Sequence, residues 1–305
     1  MSGRKLYAVG AVAIVVAVLV GIVATSRPPP PPPPAVSGKF DVVLLDLETG
    51  TEMLILSNLS DAGLARFMPD GSVVVSGTIG DAHGVWRIGS VGSPVLLWEG
   101  SPSWLDPSPG EAQVIWFNGS GIVILDVQNG ATSTIPLRAL SPALYPLFTT
   151  FDPEGRRIAF TWEGAFIAHG PYRNYIATYD LANGIVDVLM KTGKQIAGLA
   201  FLPDGEHIVF ASDGIYLYDI VLNLTLRLTG PANQAFPQVS GSGDLIVFQS
   251  LTRKDELGRP LYRIHLHRLS TGETVDVLGR EQYGGPRPDI SANGRMIVFI
   301  RQPSL

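Results

Sequence analysis

The sequence predicts an all-β protein: a six-bladed β-propeller with a composite closing blade, preceded by one N-terminal transmembrane helix. Three observations predict it. A turn-and-strand unit recurs weakly along most of the chain, the two ends of that array are incomplete in complementary ways, and residues 6 to 26 form an uncharged apolar run.

The N-terminal elements come first. Leu6 to Ser26 holds 21 residues without a charge, and at about 1.5 Å per residue a helix of that length just crosses a hydrocarbon core of roughly 30 Å. Arg4, Lys5 and the terminal amine precede the run while only Arg27 follows closely, so the positive-inside rule leaves a cytoplasmic tail of residues 1–5 and sends the rest outside. A cleaved secretory signal is the alternative, with Ala24 and Ser26 as small residues before a cleavage site, although its apolar region is usually about 7 to 15 residues. Both readings put the body outside the cytoplasm. Residues 27–38 then form a spacer in which Pro28 to Pro34 is an unbroken run of seven prolines. Polyproline II at about 3.1 Å per residue holds the following domain roughly 20 Å from the membrane. A proline-rich docking peptide is the other use of such a run, but its usual readers are intracellular. The expected location is therefore the cell membrane, single-pass, with an extracytoplasmic propeller spanning 39–305.

The repeat opens with an apolar residue, a Pro-Asp-Gly type turn and a β-branched run. Clear copies are Phe67-Met68-Pro69-Asp70-Gly71, Phe151-Asp152-Pro153-Glu154-Gly155 and Phe201-Leu202-Pro203-Asp204-Gly205; weaker copies end at Gly110, Gly243 and Gly294. Proline presets φ, Asp or Asn caps the turn, and glycine supplies positive φ. The turn glycines are spaced 39, 45, 50, 38 and 51 residues apart, the period of a four-stranded propeller blade. A second mark is an acidic strand end before another turn: Asp46, Asp126, Asp180 and Asp219. Their recurrence at one place argues that they satisfy turn amides rather than form a cation-binding ring. Residues 40 to 56 supply only an outer strand pair and residues 286 to 301 only an inner pair, so one composite blade closes the ring and removes exposed edges.

These turns and strands resemble the TolB-like propeller repeats, relatives of the WD-repeat class, over residues 39 to 305. The resemblance implies a six-bladed propeller. The family's namesake carries an α/β domain ahead of its propeller; here the apolar run and the proline spacer stand in that place, and fold alone does not assign a role.

Composition narrows the chemistry. There is no cysteine, which removes disulfides, thiolate nucleophiles and cysteine-ligated metals. All 27 acidic residues follow residue 38, against 19 basic residues there, a net −8 that disfavours nucleic acid as a partner. No Gly-X-Ser-X-Gly elbow, phosphate loop, dinucleotide fingerprint or His-Glu-X-X-His occurs, so no catalytic residue, metal ligand or cofactor is expected. His265 and His267, two apart on a strand, share a face that can hold a metal, but read better as neutral surface imidazoles. Asn58, Asn118 and Asn223 head Asn-X-Ser/Thr triplets that accept glycans only where the machinery exists.

Recognition is expected on two enlarged loops between second and third strands, on the face opposite the Pro-Asp-Gly turns. One runs from about Trp162 to Tyr175 with Glu163, His169, Tyr172, Arg173 and Tyr175; the other from about Leu251 to Leu261 with Arg253, Lys254 and Arg259. Trp98, Trp104, Tyr283 and Arg287 sit on or near connections that join this surface or the core. Aromatic and arginine side chains on protruding loops are where binding energy concentrates. The leading functional expectation is a noncatalytic module binding an envelope protein or surface polymer. The alternative is a hydrolase or lyase acting on glycans or peptides from a central funnel site, and a third reading is a structural element of the cell surface.

Overall fold

The computed structural model describes residues 39–89, 93–102, 104–110, 112–118, 121–136, 145–164 and 173–303. The apolar run and the proline spacer lie outside the described residues. Within them there is no helix, and no segment is long and apolar enough to cross a membrane as a helix.

Every sheet is antiparallel and built in chain order. Three four-stranded sheets follow one another: Asp106–Pro107, Gln113–Phe117, Ile122–Asp126 and Thr132–Ile135; then Tyr145–Phe151, Arg157–Gly164, Arg173–Asp180 and Val186–Thr192; then Leu199–Phe201, His207–Ala211, Ile215–Asp219 and Leu224–Arg227. A fifth strand, Gln282–Tyr283, joins the sheet of Gln234–Val239, Leu245–Lys254, Pro260–Arg268 and Glu273–Asp276. An eight-stranded sheet combines two such groups. Ala65–Phe67, Val73–Ile79, Ala82–Ile88 and Val95–Glu99 form one, and it meets the other only at the pair Ser60↔Thr78.

That other group joins the two ends of the chain. Asp289–Ile290 and Met296–Arg301 pair with Lys39–Asp46 and Glu52–Ser60, with Val43 opposite Phe299 and Leu45 opposite Ile297. Arg301 reinforces the seam, bonding Glu52 at 2.9 Å and Asp41 at 3.4 Å. The complementary half-units of the sequence thus complete one sheet.

The apolar residues of each sheet alternate between its two faces, so each face packs on a neighbour. Trp116 packs with Val74 and Val85, Ile115 with Phe160, Ile208 with Ala159, Phe248 with Val209, Phe299 with Val247, and Val298 with Val75. The contacts therefore return to their start. The innermost strand of each group, beginning at Ala65, Asp106, Tyr145, Leu199, Gln234 and Asp289, likewise touches the next, and the last touches the first.

Turn chemistry follows the sequence closely. Gly71, Gly155, Gly205, Gly243 and Gly294 take φ between 67° and 82°; Gly110, in the Pro-Ser-Pro-Gly copy, is not among the positive-φ glycines. Asp46, Asp126 and Asp180 each accept two backbone N–H groups of the following turn, and Asp219 accepts that of Leu222. The histidine reading needs correction. His267 is buried, bonded to Thr274 at 2.8 Å, and His265 is half-buried, stacked on Phe248 and bonded to Ser250 at 2.7 Å. The closing of the third strand between its neighbours removes both from the surface, and burial holds both below the usual imidazole range.

Candidate functional site

The six innermost strands bring one residue each to the same register. Arg66 faces Val74, Asp106 faces Ile115, Thr150 faces Ala159, Ala200 faces Val209, Gln238 faces Val247 and Asp289 faces Val298. All six are buried and line one cavity of about 470 Å³ that opens on the side of the Pro-Asp-Gly turns. The next residue on each strand adds an apolar collar: Phe67, Pro107, Phe151, Phe201, Val239 and Ile290.

The charged members have distinct jobs. An innermost strand leaves backbone N–H groups unpaired along its free edge, and such groups need a partner when buried. Asp289 Oδ2 accepts the N–H of Phe67 at 2.7 Å, and Asp106 Oδ2 accepts that of Phe151 at 3.1 Å. Each carboxylate thereby ties its own strand to the first strand of the next group. Burial drives both above the ordinary carboxylate range, Asp106 to about 7, against the opposing pull of Arg66. Arg66 Nη1 donates to the carbonyls of Ala65 and Arg287, and its guanidinium lies 4.9 Å from the Trp104 ring.

Beyond Arg66 the axis is filled. Trp104 packs edge-on to Phe148 at 4.8 Å and tilted on Phe236 at 5.2 Å, while its indole N–H donates to the Thr149 carbonyl. Arg287 lies 5.6 Å from Phe236 and donates to the carbonyl of Gly63 at 2.7 Å. The cavity is a funnel with a polar floor above an aromatic plug. Trp104 and Arg287 belong to that plug, and Trp98 packs on Trp116 at 4.6 Å.

The loop residues expected to bind a partner fare differently. Both loops are shorter than the sequence indicates, because the flanking strands run on as paired hairpins. Strand pairing reaches Gly164↔Arg173 in the first, so Glu163 and Arg173 are strand residues, and His169 and Tyr172 lie outside the described residues. Tyr175 is 3% exposed and stacks on Trp162 at 4.8 Å, a core position rather than a loop contact. The second hairpin pairs Lys254 with Pro260, leaving a tip of residues 255–259. It gathers Arg253, Lys254 and Arg259 on one projection. Arg253 bridges Glu281 at 2.8 Å; Arg259 bridges Asp255 at 2.7 Å and lies 4.7 Å from the Tyr283 ring. Leu257 at the tip is 78% exposed. The hairpin stands at the opposite end of strand Leu245–Lys254 from the turn at Gly243, hence away from the funnel mouth. A hollow of about 370 Å³ beside it is lined by Glu281, Tyr283 and Arg301 among others.

Solved structures supply the comparison. A TolB-type protein from Agrobacterium tumefaciens superposes with a TM-score of 0.68 at 20% identity, over 88% of this chain and 100% of that one. The fold is a TolB-like β-propeller. TolB from Acinetobacter baumannii matches at a TM-score of 0.56 and 18% identity, over 89% of this chain and 66% of that longer one. An oligogalacturonate lyase in complex with manganese shares the TolB-like propeller fold at a TM-score of 0.54 and 11% identity, over 88% of this chain and 98% of that one. No family model and no curated protein matches the sequence. Among the described residues no cluster of three or more His, Asp or Glu side chains is arranged to hold a metal ion.

Aligning the six turns in the sequence would have found the axial ring, since each member stands just before the apolar residue that opens its turn. Read singly, Asp106 and Asp289 pass for turn residues.

Proposed function

We propose that this chain is a membrane-anchored, extracytoplasmic, six-bladed propeller that binds a protein or surface polymer of the envelope without chemistry of its own. In this reading residues 6–26 anchor it, residues 27–38 space it from the bilayer, and residues 39–305 close through a composite blade. The observation that carries the binding role is the braced hairpin at residues 245–268. Its arginines are held by Glu281, Asp255 and the Tyr283 ring while Leu257 projects into solvent, and a preorganised element loses little freedom on binding. Mild crosslinking of the full-length protein in its native membranes, followed by identification of what copurifies, tests the role. A stoichiometric partner supports it; a solitary propeller counts against it.

A second reading, a hydrolase or lyase acting on glycans or peptides from the funnel, is favoured by one observation. Asp106, at about 7, is poised near neutrality as a general acid or base is. Hydrolysis or elimination on a glycan and peptide panel, lost in Asp106→Asn, would establish that reading.

A further inference from the structure

The floor of the funnel holds donors that nothing in the protein uses. A guanidinium carries five N–H donors, yet Arg66 commits only Nη1; among the described residues its Nε and Nη2 have no hydrogen-bond partner, and it forms no ion pair with Asp106 or Asp289. Gln238 Nε2, on the same ring, is also buried without a partner. Buried unsatisfied donors are costly, on the order of 1–3 kcal/mol each and more when charged, so their survival at a cavity needs a reason.

We propose that the funnel is a binding site for a small organic carboxylate, held side-on by the Nε–H and Nη2–H of Arg66 with the Gln238 amide as third donor. Nε and Nη2 lie on one edge of the planar guanidinium and match the two oxygens of a carboxylate. The ring selects charge as well as shape. Asp106 and Asp289 flank Arg66 and disfavour a second negative charge, which discriminates against a phosphate dianion. The collar of Phe67, Phe151, Phe201 and Ile290 is apolar, which suits a ligand with an organic body rather than a bare inorganic ion. A cavity of about 470 Å³ falls in the range of small-molecule sites. This site lies at the other end of the axis from the hairpin and does not rest on the partner-binding reading.

4-Fluorobenzoate is a suitable probe, because its ¹⁹F signal reports binding without any assumed activity. The full-length protein in detergent is titrated with it at fixed pH and ionic strength, with 4-fluorobenzamide as the neutral isostere and phosphate as competitor. Expected are saturable line broadening by the benzoate, binding of the benzamide weaker by about tenfold or more, and poor competition by phosphate. Arg66→Lys, which lacks the planar fork, should weaken binding on the order of tenfold. Because a buried arginine variant can fail to fold, Gln238→Leu, verified by circular dichroism, should weaken it by about threefold or more. Equal binding of benzamide, stronger binding of phosphate, no saturation by about 50 mM, or full binding by Gln238→Leu would each overturn the proposal.

Discussion

Asp106 shows how much a single register position decides. Its carboxyl is held near 7 rather than 3.8, so between those values the folded protein binds more protons than the unfolded chain. The contribution is fully present below about 4 and is lost as pH rises through about 7, an effect on the order of 4 kcal/mol. We expect urea unfolding to give lower stability at pH 8 than at pH 5, and Asp106→Asn to be more stable than the parent at pH 8. Asp289 is raised by burial as well, so a smaller slope of the same sign remains in the variant. A slope unchanged by Asp106→Asn would assign the pH dependence elsewhere. None of this was legible residue by residue, because burial of a carboxylate depends on strands about 40 to 50 positions apart in the chain. The capping role of Asp46, Asp126, Asp180 and Asp219, in contrast, is local and was readable.

The strands and turns were legible because both signals are short-range: alternating β-branched runs and Pro, Asp and Gly at fixed offsets. The length of the hairpins was not. Charged stretches such as Arg253-Lys254 read as loop, yet pairing continues through them because Arg253 finds Glu281 and Arg259 finds Asp255 and Tyr283. At the tip, Leu257→Asp is expected to leave thermal stability unchanged within about 1 °C while reducing crosslinked partner; full retention of the partner would move the binding surface away from this hairpin. Within a sheet the tolerance is different. A Cβ at Gly84 would lie 2.1 Å from the carbonyl oxygen of Trp98 across the strand pair, so Gly84→Ala should cost about 1–3 kcal/mol in urea unfolding. A smaller loss would mean that strand Val95–Glu99 gives way easily.

At the scale of the whole molecule, closure rests on Lys39–Asp46 meeting Met296–Arg301. Removing residues 40 to 56 strips that sheet of two strands and bares an edge of apolar residues. We expect this deletion to lower the melting temperature far more than removal of residues 1 to 38; equal melting of the two truncations would refute a closure that depends on the joined ends. Sequence reasoning anticipated the joint because the two end fragments lack complementary strands.

The same joint sets a timetable for synthesis. Leu45 and its partner Ile297 are 252 positions apart, and at about 5–20 residues per second a ribosome takes roughly 13–50 s to deliver the second after the first. Through that interval Lys39–Asp46 has only its local hairpin mate, and two strands alone are marginally stable in water. The first strand to emerge is the last to be completed, so a nascent chain carries an open Val42–Leu45 edge for most of its synthesis and depends on a holding factor to keep that edge from pairing with a neighbouring chain.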